Sequence, residues 1–276
     1  WGLTKYRIGL KLYLNRLRCK FIFGKIIMTS ATSLNQIQLI TYIDRLSGGK
    51  IEDLHQLLDG PLAGLFDGVH LLPFYPPIDG EDAGFDPTDH TAVDSRLGSW
   101  TDIEKLAAGY PIMADMIVNH MSAQSPQFLD VLHKGDTSPF WPLFLTRDKV
   151  FGAAPAAEQL AAIYRPRPTP CFSDITLSNG QTIPFWTTFT ANQIDIDVSS
   201  APGEAYLQAI LQRFTDHGVK YIRLDAAGYA IKKAGSSCFM LPETFDFIAK
   251  LSEQAKARGM TCLVEIHGYH KTQIDI

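Results

Sequence analysis

Cysteine is scarce in this sequence. Its four cysteines, Cys19, Cys171, Cys238 and Cys262, are scattered, and no two form a CxxC pair. That spacing excludes a disulfide framework and a zinc ribbon, and it reads as reduced thiols in a cytoplasmic protein. No apolar run approaches the roughly twenty residues needed to span a bilayer, so no membrane association is expected. A phosphate-cradling glycine loop is missing too. Ser47-Gly48-Gly49-Lys50 has neither GxGxxG nor P-loop spacing and reads as a plain turn. There is no Ser/His/Asp hydrolase elbow. His267-x-x-His270 lacks the HExxH glutamate and reads as a loop. Asp195-x-Asp197 could pair on calcium but reads better as turn or strand-end carboxylates. No metal and no cofactor are expected.

Acid is missing from the first thirty residues, which carry Lys5, Arg7, Lys11, Arg16, Arg18, Lys20 and Lys25. The net charge is nevertheless −4, so the remainder is acidic, which argues against a nucleic-acid partner. The first methionine is Met28, and the residues after it read like an ordinary cytoplasmic start. Residues 1–27 admit three readings: translated upstream sequence, an Arg-rich targeting peptide or an amphipathic surface helix. The first is preferred over a secretory signal because basic residues interrupt every apolar stretch. Residues 1–35 are expected to be a basic extension outside the fold, and residues 36–276 the folded unit.

What is present has ordinary globular composition, 46% hydrophobic and 20% charged. From Gln36 onward, short apolar runs alternate with amphipathic stretches. The runs are Gln38–Tyr42, Gly68–Leu72, Ile112–Val118, Val219–Leu224 and Thr261–Ile266. Their Ile, Val and Leu content suits parallel strands buried on both faces. Helices are expected around Ile51–Leu58, after a capping box at Thr101 and Glu104, over Ala205–Phe214 and over Phe245–Ala257, with Gly259 ending the last. Such alternation implies an α/β parallel sheet. Polar residues gather at the C-terminal strand ends, where a (β/α)8 barrel builds its active site, so a partial TIM barrel of about five strands is preferred over an open doubly wound sheet. One connection, about sixty residues between Gly135 and Ser199, is too long for a simple crossover and is expected to be an inserted subdomain over about 135–198. Its Pro166, Pro168, Pro170 and Pro184 argue against regular helix.

Three runs end in chemistry: Asp115-Met116-Ile117-Val118-Asn119-His120, Arg223-Leu224-Asp225-Ala226 and Glu265-Ile266-His267. Charges at buried strand ends are costly unless they pair or face a wet pocket. Taken alone, Arg223 and Asp225 read as a structural ion pair on one side of a strand. Asn119 and His120 could cap a strand end, and Glu265 could be a satisfied loop carboxylate. Their joint occurrence on three successive strands is harder to explain structurally. Two carboxylates across a pocket suit retaining glycoside chemistry, in which one attacks the anomeric carbon and the other serves as acid and base, about 5–5.5 Å apart. Asp225 beside Arg223 fits the nucleophile that stays ionised. Glu265, with only His267 as a basic neighbour at that spacing, fits the protonated acid.

These three strings resemble the first three conserved regions of the α-amylase superfamily, glycoside hydrolase family thirteen. Gln38–Tyr42, His70–Phe74, Asp82-Ala83-Gly84-Phe85-Asp86-Pro87, Tyr164-Arg165-Pro166-Arg167-Pro168 and Gln193–Asp197 are similar to its sucrose phosphorylase branch. The resemblance covers roughly residues 36–276. It implies structural and sugar-binding roles for Asp115, Asn119 and His120, a charge partner in Arg223, the nucleophile in Asp225 and the acid/base in Glu265. By the same resemblance Asp82 and His120 would grip glucose hydroxyls and Phe85 would lie under the sugar. Phe189 would contribute to the substrate site. Tyr229, His267, Gln193 and Arg167 would lie where fructose and phosphate alternate, although Arg165 and Arg167 could equally be a solvated loop. The implied reaction turns sucrose and inorganic phosphate into α-glucose 1-phosphate and fructose through a glucosyl-Asp225 intermediate. A phosphorylase for sucrose 6-phosphate or glucosylglycerate is the near alternative. A non-catalytic amylase-like module ranks below, since both carboxylates are present. A homodimer is left open. The superfamily's fourth region, a His-Asp pair after strand seven, finds no match before Ile276, so residues 1–276 alone are expected to be inactive and poorly folded.

Overall fold

The computed structural model describes residues 37–152, 154–266 and 268. The basic extension expected over 1–35 lies outside the described residues. In chain order the first half runs β1 (Gln38–Thr41), α1 (Ile43–Leu46), α2 (Ile51–Asp59), β2 (Gly68–Leu71), α3 (Trp100–Gly109), β3 (Ile112–Ile117), β4 (His120–Ser122) and α4 (Pro126–Lys134). The second half runs α5 (Arg147–Phe151), α6 (Ala157–Ala162), β5 (Phe172–Thr176), β6 (Thr182–Trp186), β7 (Gln193–Asp195), α7 (Ala201–Asp216), β8 (Tyr221–Asp225), α8 (Pro242–Ala257) and β9 (Thr261–Val264).

The main sheet holds five parallel strands in the order β1-β2-β3-β8-β9. Among the described residues spatial order follows chain order in one direction, without the reversal point that marks a doubly wound sheet. The sheet is the arc of a (β/α)8 barrel, with α2, α3, α7 and α8 on its outer side. Every residue of β2 and β3 is buried. Alternation then sorts β3 into two sets. Ile112, Ala114 and Met116 pack outward in the main apolar cluster, and Asp115 faces inward. On α2, Ile51, Leu54 and Leu58 recur at helical spacing and are fully buried, each such side chain contributing roughly 1.5–3 kcal/mol by area. Tyr75, Trp100 and Phe214 pack behind the sheet, with Trp100 and Phe214 ring centroids 6.2 Å apart. By register Ile40 and Leu263 share the inner face on the two outer strands, and they are 62% and 56% exposed.

The capping box before Leu106 sits two residues earlier than expected. Ser99 is the N-cap, and its N–H donates to Asp102 Oδ2 at 3.0 Å. The start is shifted because Trp100 is drawn inward, its Nε1 donating to the Thr91 carbonyl at 2.8 Å. Pro202 and Pro242 sit in the first turns of α7 and α8, where a missing N–H costs nothing.

The long excursion carries two small antiparallel pairs, β5 with β6 and β4 with β7. Because β4 starts at His120, the insert is stitched to the sheet end directly after β3. His120 lies opposite Asp195.

Candidate active site

Strand register aligns the inward charges. Asp115 on β3 lies opposite Arg223 on β8, Ile117 opposite Asp225, and Leu224 opposite Val264, one residue before Glu265. The C-terminal ends of three neighbouring strands thus bring Asp115, Arg223, Asp225 and Glu265 together. Arg223 organises them. Its Nη1 donates to Asp115 Oδ1 at 2.6 Å and Asp225 Oδ1 at 3.0 Å, and its Nη2 lies 2.8 Å from Glu265 Oε1. Asp115 is fully buried and its other oxygen lies 3.0 Å from His70 Nε2 on β2.

Arg223, expected as the charge partner of Asp225, engages Glu265 as well, because its guanidinium fork reaches both carboxylates. Its planar geometry allows two parallel engagements. The charge balance changes accordingly. Burial, and then the neighbouring Glu265, push the Asp225 carboxyl well above the usual carboxylate range, while Arg223 works in the other direction. One arginine between two carboxylates offsets only part of their mutual repulsion, so Asp225 holds a proton more tightly than a free aspartate does.

After Asp225 the chain turns sharply. Ala226 adopts a left-handed conformation at φ 55°, unusual for a residue with a Cβ, and its N–H donates to Glu265 Oε2 at 3.1 Å. Strain at such a position is held by its surroundings, here the Glu265 carboxylate. Gly228 follows because a Cβ there would meet the Phe239 ring at 2.9 Å.

The carboxylates open into a cleft of about 470 Å³. Asp82, Phe85, His120, Arg167, Phe189 and Tyr229 line it together with Arg223, Asp225 and Glu265. The Phe85 ring lies 5.7 Å from the Arg223 guanidinium. Its loop is fixed by the buried Asp86, whose Oδ2 accepts from Glu81 N at 3.1 Å and Asn192 Nδ2 at 2.9 Å. Gly80 is required beside it, since a Cβ would come within 2.1 Å of Asp86 Oδ1. His120 is buried, and burial lowers its pKa, so the neutral ring donates from Nε2 to the Phe85 carbonyl at 2.8 Å.

Two predicted residues behave differently. Gln193 is fully buried and does not line the cleft. Its Nε2 donates to Asp82 Oδ2 at 3.1 Å, so it braces Asp82 from below. His267 lies outside the described residues. Arg167 reaches in from the insert and pairs with Asp82 Oδ1 at 3.0 Å. The resemblance places these two groups on different parts of the substrate, and here they meet at one edge of the cleft.

Phe239 and Lys232, which no string singled out, complete the site. Tyr164 stacks on Phe239 at 4.4 Å, and Phe239 leans on Tyr229 at 4.6 Å, forming an aromatic side to the cleft. Lys232 stands behind it, buried against Asp195. The carboxylates of Asp195 and Asp197 are engaged by protein cations, Lys232 at 2.7 Å and Lys149 at 2.8 Å. Cys171, Cys238 and Cys262 are free thiols.

Residues 62–273 match the family of the alpha amylase catalytic domain. The chain is 58% identical over 242 residues to a sucrose phosphorylase of Agrobacterium vitis, covering 88% of this chain and 50% of that protein. It is 50% identical over 242 residues to a sucrose phosphorylase of Bifidobacterium adolescentis, covering 88% and 48%. Among solved structures, a sucrose 6F-phosphate phosphorylase from Thermoanaerobacter thermosaccharolyticum superposes with a TM-score of 0.83 at 35% identity, over 90% of this chain and 51% of that one. The chain spans about half the length of the curated relatives it matches.

Proposed function

The chain belongs to the α-amylase catalytic-domain family, and from that premise we propose that the protein carrying it is a retaining glucosyl transferase that phosphorolyses sucrose. The observation that carries this reading is the grip of Arg223 on Asp225 and Glu265 in one cleft, with Arg167 at its edge. Asp225 attacks the anomeric carbon of the glucosyl unit as Glu265 gives its proton to the departing fructosyl oxygen. The products of that half-reaction are fructose and a glucosyl ester on Asp225. Phosphate then enters the space fructose has left. An oxygen of hydrogen phosphate attacks the same carbon, the bond from that carbon to Asp225 breaks and releases the Asp225 carboxylate, and the proton of the phosphate passes to Glu265. Two inversions leave α-glucose 1-phosphate.

This order of events needs a proton on Glu265 and an ionised Asp225 at the moment of attack. Phosphate is favoured over water as acceptor because a guanidinium offers it charge-assisted bonds. The 58% and 50% identity to two sucrose phosphorylases supports sucrose over sucrose 6-phosphate, since the matching sucrose 6F-phosphate phosphorylase structure is 35% identical. The compartment proposed is the cytoplasm, where the free thiols would stay reduced.

The test is to incubate the full gene product containing these residues with sucrose and phosphate. Equal release of α-glucose 1-phosphate and fructose is expected. Activity confined to sucrose 6-phosphate, or glucose release that phosphate does not alter, would count against the reading.

A further inference from the structure

The Lys232 ammonium is buried and plays no part in the chemistry above. Its side chain is 1% exposed, and Nζ lies 2.7 Å from Asp195 Oδ2 and 2.7 Å from Asn119 Oδ1, and also donates to the Tyr229 carbonyl. The Trp186 ring, 5.6 Å away, adds an aromatic face. Three separate chain segments supply the oxygens: the end of β3, strand β7 of the insert and the turn after β8. Each oxygen belongs to, or is wired to, a residue that lines the cleft. Tyr229 lines it directly. Asn119 immediately precedes His120. Asp195 accepts from Thr188 N at 2.8 Å and from Thr188 Oγ1 at 2.5 Å, and Thr188 immediately precedes Phe189. The Phe189 and Tyr229 rings meet edge to face at 5.2 Å, and those of His120 and Phe189 lie 5.3 Å apart.

We propose that Lys232 is a positioning residue that sets the Phe189–Tyr229 side of the cleft from behind, and thereby the binding of the leaving sugar and the incoming acceptor. The role rests on the sucrose reading above. A charge is needed there because the Asp195 carboxylate is fully buried, and removal of its cation leaves that charge uncompensated. An ammonium suits three acceptors in separate directions, whereas the planar guanidinium fork does not. The carboxylate pair is held independently. Arg223 and the Ala226 N–H position Asp225 and Glu265, and neither bonds to Lys232. Loss of Lys232 therefore acts on one part of the site and spares the other.

The test compares Lys232→Ala with wild type in the full gene product, with folding followed by circular dichroism. The KM values for phosphate and sucrose are expected to rise about tenfold or more. Hydrolysis of saturating α-glucosyl fluoride, which needs neither fructose nor phosphate, is expected to change several times less. Propylammonium, which replaces the deleted atoms, is expected to lower the raised KM saturably, with sodium at equal ionic strength as control. If the single variant does not fold, Lys232→Met combined with Asp195→Asn removes both charges and is expected to fold with the same raised KM. A folded variant of either kind with wild-type KM values, or one whose fluoride hydrolysis falls as far as its sucrose turnover, overturns the role. Wild-type protein that releases no glucose 1-phosphate would instead count against the sucrose reading.

Discussion

Arg167 Nη2 lies 3.0 Å from Asp82 Oδ1, so a residue of the insert and one from the loop after β2 close one edge of the cleft together. Both side chains are partly exposed, and such a contact holds by only about 0–1 kcal/mol. It is therefore weak enough to exchange Asp82 for a more highly charged partner. Arg167→Ala should lower kcat/KM for phosphate by tenfold or more, on the order of 1.4 kcal/mol or above. Slow hydrolysis of sucrose by the same variant should change much less. Parallel assays with and without phosphate check this, and an equal loss in both would place Arg167 outside the phosphate site.

Asp225 carries a pH signature. Burial and Glu265 raise its pKa, and attack on the sugar requires the ionised form. Activity should thus fall as pH drops through a midpoint above the ordinary aspartate value of about 3.9. The profile of kcat/KM for α-glucosyl fluoride, which needs little acid assistance, reports this limb without the opposing demand on Glu265.

The same shift has a stability consequence of opposite sense. A carboxyl whose pKa is raised by folding binds its proton more tightly in the native state, so its ionisation destabilises the fold as pH rises through that value. Asp225→Asn should accordingly melt at a higher temperature than wild type at pH 7, with the gap narrowing toward pH 4. Melting curves across that range decide it.

His90 works in the other direction. It is fully buried, donates to the Asp115 carbonyl at 3.1 Å, and has its pKa lowered to about 4 by burial. The folded protein then holds His90 neutral while the unfolded chain takes up a proton near pH 6.5. Stability should fall as pH drops from about 6.5 toward about 4, by at most about 3 kcal/mol from this group. His90→Gln, measured by denaturant titration over that interval, should flatten the slope.

Gly80→Ala offers a steric test of the loop that carries Asp82 and Phe85. Its Cβ would fall 2.1 Å from Asp86 Oδ1, and the displaced carboxylate would release Glu81 N and Asn192. The KM for sucrose should rise several-fold with a smaller change in kcat. An unchanged KM would show that Asp86 does not set the loop.

Much of the fold and site is legible in the amino-acid order. Strands β1, β2, β3, β8 and β9 are short, largely apolar runs, and the charges at their ends are local strings, so composition and order locate Asp115, Arg223, Asp225 and Glu265. Relations across long sequence separations are not legible. Gln193 bracing Asp82, Arg223 holding Glu265 as well as Asp225, and β4 pairing with β7 all join residues that no window contains together. Lys232 escapes notice for a related reason. It lies beside Lys233 in a loop, where two lysines read as solvated. Only the meeting of Asn119, Asp195 and Tyr229 makes the first of them a buried charge, while Lys233 pairs with Glu243 at the surface. The capping box slips because Thr101 and Glu104 satisfy the same local pattern as Ser99 and Asp102, and the burial of Trp100 decides between them.

The division of roles between nucleophile and acid is central, and one experiment addresses it directly. Glu265→Gln in the full gene product, given α-glucosyl fluoride without phosphate and quenched in acid, should accumulate a glucosyl ester, because the good leaving group needs no proton and the second step lacks its base. Peptide mass mapping should find the added hexose on Asp225, and the Asp225→Asn protein should carry none. A hexose found on another residue, or a Glu265→Gln protein that turns over sucrose at the wild-type rate, would contradict the roles assigned to these two carboxylates.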